Sequence, residues 1–102
     1  MMNEIILEIN RATNNLLEVL PKCIIRVNGT MINNVIFALI QDGNNYYREM
    51  CDITYSSMEE FVRKTFSSDY DMSDEEDAAA YTKIYARALE IDRLIKFYHI
   101  TN

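Results

Sequence analysis

The last third of the chain carries one apolar stripe with the period of a long helix. Apolar residues recur there at alternating spacings of three and four, which keeps their side chains on one face of an α-helix. The stripe consists of Tyr81, Ile84, Ala88, Ile91, Ile95 and Tyr98, widened by Tyr85, Leu89 and Leu94. We therefore predict a helix from Asp74 to about His99, packed along this face.

Two further segments show the same period. Residues 3 to 20 carry one stripe, and Pro21 ends this segment because proline disfavours a helical residue before it. A shorter stripe follows Ser57. The two stripes consist of Ile5, Ile9, Ala12, Leu16 and Leu20, and of Met58, Phe61, Val62 and Phe66. Ser57 and Ser73 each precede a glutamate by three residues, the capping-box spacing that marks the start of a helix.

The segment between the first two predicted helices has strand character. Lys22–Val27 is rich in β-branched residues, Val35–Ile40 is an unbroken apolar run, and Tyr46–Ile53 mixes aromatic, charged and apolar residues. Turn signals at Asn28-Gly29 and Asp42-Gly43-Asn44-Asn45 separate the three. We therefore predict an α+β fold in the order α-β-β-β-α-α, with a three-stranded antiparallel meander packed by helices.

Size and composition indicate a single domain over residues 1–102. About half of the residues are hydrophobic (49%), which suffices for one core, and two glycines and one proline leave little room for linkers. No segment approaches the roughly 18 consecutive apolar residues of a membrane span. The N-terminus lacks the basic start of a signal peptide. We expect a cytoplasmic protein that does not bind membranes.

Catalysis, cofactors and metals are not expected. The single histidine, His99, lies three residues from the C-terminus, and no glycine-rich phosphate loop is present. Asp69-x-Asp71-x-Ser73 matches the first ligand positions of a calcium-binding EF-hand loop. The loop then has Asp74 where it needs glycine and Ala80 where it needs a bidentate glutamate. We predict neither an enzyme nor a metal site.

The charge of the chain is concentrated in one acid run between Ser67 and Asp77. The run contains Asp69, Asp71, Asp74, Glu75, Glu76 and Asp77, and no lysine or arginine. The chain has 16 acidic and 10 basic residues, so the remaining ten acids balance the ten bases. Acids in the first turn stabilise a helix start, but Asp69 and Asp71 precede that turn. The run therefore favours a basic protein partner over direct binding to nucleic acid.

Carboxylates spaced along a loop and a helix start can stand where phosphates lie in a basic groove. A nucleic-acid-binding protein would then bind the acid run instead of DNA, and the binding would weaken as salt rises. Tyr70 and Tyr81 can add stacking against arginine side chains. The acid run with Tyr70 is thus our candidate binding surface, and mimicry of DNA is the function that it favours.

Three stretches stand out together with the predicted element order. They are Met2–Ile9, the bend Asp42-Gly43-Asn44-Asn45-Tyr46, and Ser57–Glu76, in which two phenylalanines precede the acid run. This layout resembles that of small phage-encoded anti-CRISPR proteins that inhibit type II effector nucleases. The resemblance implies that the acid run blocks DNA recognition by a guide-RNA-loaded effector nuclease. It also implies that Asp42, Gly43 and Asn44 approach a second, nuclease-domain surface.

Two other interpretations remain open from the residues. One is an antitoxin or immunity-type protein that covers a basic toxin surface. The other is a homodimeric module joined through the C-terminal helix, without nucleic-acid mimicry. Binding through charge weakens with salt, whereas a dimer held by apolar burial persists.

Overall fold

Four helices make up most of the part of the protein that the computed structural model describes, residues 2–41, 47–48 and 54–101. They are α1 (Met2–Val19), α2 (Lys22–Gln41), α3 (Met58–Phe66) and α4 (Glu75–Thr101), with a 3-10 turn over Ser67–Asp69. Within the described ranges the only strands are β1 (Tyr47–Arg48) and β2 (Thr54–Tyr55), which pair antiparallel. The fold is therefore all-α with one two-residue ladder.

The predicted α+β fold with a three-stranded meander is wrong. Lys22–Gln41 is one continuous helix, although the sequence predicted two strands there with a turn at Asn28-Gly29. Of the third predicted strand, Tyr47–Arg48 is extended, but it pairs with Thr54–Tyr55 and not with a strand earlier in the chain. The predicted order α-β-β-β-α-α is accordingly replaced by four helices.

The burial pattern of α2 gives the physical reason for its helical form. Ile32, Val35, Ile36 and Leu39 are each at most 5% exposed, and they recur at spacings of three and four. Phe37, inside the same apolar run, is 61% exposed. The run thus has one buried face, whereas the strand prediction required two. Packing of that face offsets the cost of a glycine inside a helix, which is about 1 kcal/mol relative to alanine.

The other three helices follow the sequence predictions closely. α1 ends at Val19, just before Pro21, and the apolar residues of α3 are all buried. Ser57 caps α3 as predicted, because its hydroxyl accepts from the backbone N–H of Glu60 at 3.1 Å. The Glu60 carboxylate reaches back to the N–H of Ser56, and this hydrogen bond lowers the pKa of Glu60.

α4 organises the core. It packs mainly against α1 and α3, and five of its apolar residues are buried: Ile84, Ala88, Ile91, Leu94 and Ile95. Leu89 was predicted to widen the stripe, but it lies outside the buried face and is 47% exposed. No helix among the described residues combines the length and apolarity needed to cross a membrane.

Candidate functional site

The acid run lies at one end of the molecule. α4 has 27 residues and so spans about 40 Å at 1.5 Å per residue, close to the 42 Å longest dimension of the protein. The run occupies the 3-10 turn, the following loop and the first turn of α4. Five of its acids are exposed, and Asp77 is half-buried. The six carboxylates therefore gather at the solvent-facing start of the longest helix.

Three of these carboxylates are held by backbone N–H groups of the run itself. Asp71 accepts from the N–H of Ser73 at 2.9 Å, and Asp74 accepts from the N–H of Asp77 at 3.0 Å. Asp77 in turn accepts from the N–H of Asp71 at 2.9 Å. Since each bond joins residues at most six positions apart, the loop is organised by its own side chains.

The cap of α4 is Asp74, not Ser73 as the capping-box spacing predicted. Asp74 accepts the N–H three residues ahead, as an N-cap side chain does, and its backbone carbonyl accepts from Ala78. The Ser73 hydroxyl instead donates to the Asp71 carboxylate at 2.6 Å. The hydrogen bonds from the Ser73 hydroxyl and N–H lower the pKa of Asp71.

The other three carboxylates face solvent. Among the described residues, no lysine or arginine forms an ion pair with Asp69, Glu75 or Glu76, and no donor binds them. Ion pairs among the described residues occur on α3, between Glu59 and Arg63 and between Glu60 and Lys64, and on α4 between Glu90 and Arg93. The acid run therefore combines three fixed carboxylates with three that remain available.

A row of three half-buried tyrosines borders the acid run, and we call it the tyrosine ladder. The ring centroids of Tyr70 and Tyr81 lie 5.8 Å apart, and those of Tyr81 and Tyr85 lie 6.0 Å apart. Tyr70 comes from the loop, while Tyr81 and Tyr85 are one helical turn apart on α4. Tyr70 and Tyr81 also pack against the hydrophobic core. The ladder thus leads from the acid run along the junction of α3 and α4.

The two ends of the tyrosine ladder differ in charge. At one end the Tyr85 hydroxyl donates to Glu59 at 3.0 Å, which raises the pKa of Tyr85. The same Glu59 oxygen accepts from Arg63, so this end already holds a cation. At the other end, burial and then the charges of Asp69 and Asp77 raise the pKa of Tyr70.

Two other predictions concern metals and the hairpin bend. No group of three or more potential metal ligands occurs in the described part of the chain. The EF-hand-like aspartate Asp71 instead binds the N–H and hydroxyl of Ser73. Asp42, Gly43 and Asn44, predicted to form a second binding surface, lie outside the described residues.

The opposite end of α4 contains polar contacts that the sequence analysis missed. Both oxygens of Asp92 accept from the first N–H groups of α3, from Met58 at 2.7 Å and from Glu59 at 2.9 Å. His99 Nε2 lies 2.8 Å from the Leu39 carbonyl, to which it must donate because a carbonyl only accepts. Burial raises the pKa of Asp92 despite its two hydrogen bonds. These contacts give both side chains a structural role.

A cavity of about 400 Å³ adjoins Asp92 and His99. Its described lining is mainly apolar, with Leu39, Ile95 and Ile100, and Lys96 is its cationic residue. The sequence signal for this region was the polar Asp92 directly beside the buried Ile91, at the edge of the apolar stripe. A polar residue beside a buried one is common on an amphipathic helix, so this signal does not identify the partner of Asp92.

Comparison of the chain with known protein families, curated proteins and solved structures finds no match. The candidate site must therefore be interpreted from its own residues.

Proposed function

We propose that this protein is an acidic binding protein whose acid run occupies the nucleic-acid-binding surface of a basic partner protein. The proposal rests on one observation, that the carboxylates of the acid run form two groups with different contacts. Three carboxylates fix the loop, and three others, Asp69, Glu75 and Glu76, face solvent without a paired cation among the described residues. Unpaired anions carried on a fixed loop and helix start are suited to the lysines and arginines that otherwise bind phosphates.

Pre-organisation supports binding by this surface. The loop is held by hydrogen bonds between residues 71 and 77, so little conformational entropy is lost when a partner binds. The absence of any basic residue from the run leaves its field uncompensated locally. Such a field increases the rate of association with a basic protein and makes binding sensitive to salt.

The specific partner we propose is a guide-RNA-loaded type II CRISPR effector nuclease in the cytoplasm of a bacterial host. The acid run supports this partner. The three-stranded meander, which contributed to the resemblance to anti-CRISPR proteins, is absent from the described residues and gives no support. On this proposal the carboxylates compete with DNA for the arginines that read the duplex motif beside the target.

Competition with DNA tests the proposal directly. The purified protein is titrated into an effector nuclease bound to labelled DNA, at low and at moderate salt. The variant Glu75→Gln/Glu76→Gln removes two solvent-facing charges without removing Asp74, the cap of α4. We expect it to compete roughly tenfold less well, as the loss of two interfacial charge pairs implies.

The control is Glu8→Gln/Glu18→Gln, which makes the same change in net charge at exposed positions of α1. We expect it to compete like the unmodified protein. Equal competition by the two variants would show that net charge matters and the acid run does not. If the unmodified protein does not displace DNA at either salt concentration, the effector nuclease is not the partner.

A homodimer formed through the C-terminal helix is the second candidate. It is favoured by exposed apolar side chains on the last turns of α4, where Phe97 is 50% and Ile100 is 71% exposed. Sedimentation across the same salt series separates the candidates. A dimer that persists at high salt supports this surface, because apolar burial does not depend on charge.

A further inference from the structure

The tyrosine ladder has a filled end and an open end. At the filled end, Glu59 joins the Tyr85 hydroxyl to the guanidinium of Arg63, with both contacts at 3.0 Å. At the open end, Tyr70 lies next to Asp69 and Asp77 and packs against Tyr81, and no cation pairs with these acids in the described part of the chain. The charge of Arg63 acts on Tyr81 and Tyr85, whereas no arginine among the described residues acts on Tyr70.

Each element at the open end suits a guanidinium group. Tyrosine rings attract cations through their π-systems, and the rings here are half-buried, so they also offer apolar contact. The neighbouring carboxylates can accept the N–H groups that extend from the plane of the guanidinium. Asp77 is held in place by its hydrogen bond from the Asp71 N–H. Aromatic surface and anion therefore lie side by side.

We propose that the open end of the tyrosine ladder, at Tyr70, docks an arginine side chain of the basic partner in preference to a lysine. This inference rests on the proposed function and specifies its partner chemistry. Arginine is planar, weakly hydrated and able to stack while its N–H groups bind carboxylates. Lysine is a compact, strongly hydrated point charge that the acid run attracts equally but that the rings bind less well.

Two peptides of equal charge test the preference on the unmodified protein. The probes are (Arg-Ser)₄ and (Lys-Ser)₄, each titrated into the full chain at low salt and followed by fluorescence anisotropy. We expect the arginine peptide to bind about five times more tightly, the factor that one exposed cation–π contact supplies. Equal affinity for the two peptides would overturn the proposal.

Variants of Tyr70 test whether its ring causes the preference for the arginine peptide. Tyr70→Leu removes the ring while retaining apolar volume, and Tyr70→Phe retains the ring without the hydroxyl. We expect Tyr70→Leu to lose the preference for arginine while still binding the lysine peptide, and Tyr70→Phe to keep it. A preference that survives in folded Tyr70→Leu and Tyr81→Leu would also overturn the proposal, because its source would lie elsewhere.

The experiment distinguishes this inference from the proposed function. If both peptides bind equally, and Glu75→Gln/Glu76→Gln weakens both, the acid run remains a binding surface and only the role of the ladder is overturned. If neither peptide binds, both proposals fail. Circular dichroism of each variant establishes that α4 is intact, and the comparison of the two peptides needs no variant.

Discussion

At its first turn α4 is capped by acids from its own segment, whereas in its C-terminal half it provides side chains that bind the backbone of other helices. Asp74 and Asp77 contact N–H groups within six residues. Asp92 contacts α3 across 33 and 34 residues, and His99 contacts α2 across 60 residues. Aspartate thus accepts local hydrogen bonds at the start of α4 and tertiary hydrogen bonds in its C-terminal half.

Because of this difference, we expect the start of α4 to contribute mainly to binding and its C-terminal half to contribute mainly to stability. The start of α4 is capped by hydrogen bonds within its own segment, which leaves its outer carboxylates to meet a partner. The C-terminal half of α4 instead joins the other helices, and its polar groups are committed to that role. Substitutions at the first end should therefore change binding more than folding, and substitutions at the second end should do the reverse.

The largest expected effect is that of Asp92→Ala. Alanine leaves the N–H groups of Met58 and Glu59 without their acceptor at the partly buried start of α3. Hydrogen bonds to charged groups contribute about 1.5 to 3 kcal/mol, and the desolvation of Asp92 reduces this gain. We expect the free energy of unfolding in urea to fall by about 2 kcal/mol, with peptide binding by the folded protein unchanged.

Two control substitutions make this prediction specific. Asp92→Asn keeps one acceptor, so it should lose less stability than alanine. Glu90→Ala removes a nearby acid whose ion pair with Arg93 is exposed, and it should change stability by less than about 0.5 kcal/mol. If Asp92→Ala costs no more than Glu90→Ala, the contact with α3 does not stabilise the fold.

A smaller effect is expected at the start of α4, where Asp74→Ala is compared with Ser73→Ala. Asp74 is the N-cap in the structure, and removal of such a cap costs about 1 kcal/mol. The Ser73 hydroxyl contacts an exposed carboxylate in the loop, so its removal should cost less. Urea denaturation of the two variants decides between them. If Ser73→Ala lost more stability than Asp74→Ala, Ser73 would be the N-cap, as the capping-box spacing predicted.

The fold was predictable where apolar residues recur at spacings of three and four, and not where they form an unbroken run. The stripes of α1, α3 and α4 each indicated a helix, and the structure confirms all three. In α2 the run Val35–Ile40 is six residues long, too short for periodicity to distinguish a strand from a buried helix. Its β-branched residues favoured a strand. Burial of one helical face, including Ile32 and Leu39 from outside the run, outweighs that local preference.

The candidate site was likewise predictable where its residues are adjacent in the sequence, and not where it depends on contacts between separate helices. The acid run could be found from the sequence because all its residues are contiguous. Tyr70 and Tyr81 were also identifiable, but their alignment with Tyr85 and Glu59 depends on how α3 packs against α4. The role of Asp92 as an acceptor for α3 depends on a partner 34 residues away. No local pattern contains that information.

The smallest expected effect is on the pH dependence of stability, for which Asp71 and Asp92 should act in opposite directions. Hydrogen bonds from Ser73 lower the pKa of Asp71 below its ordinary value of 3.8. Its contribution is therefore present above pH 3.8 and is lost as pH falls. Burial raises the pKa of Asp92 above the same ordinary value, so the part of its contribution that depends on pH is present below pH 3.8 and is lost as pH rises through the raised pKa, while its hydrogen bonds to α3 remain.

Thermal unfolding of Asp71→Asn, Asp92→Asn and the unmodified protein between about pH 3 and pH 7 tests this opposition. The difference in stability between the unmodified protein and Asp71→Asn should grow as pH rises. The difference for Asp92→Asn should shrink over the range above pH 3.8, since the unmodified protein must ionise a buried carboxyl there. Exposed Glu75→Gln serves as the reference. If both stability differences changed in the same direction with pH, the predicted opposite effects of Asp71 and Asp92 would be wrong.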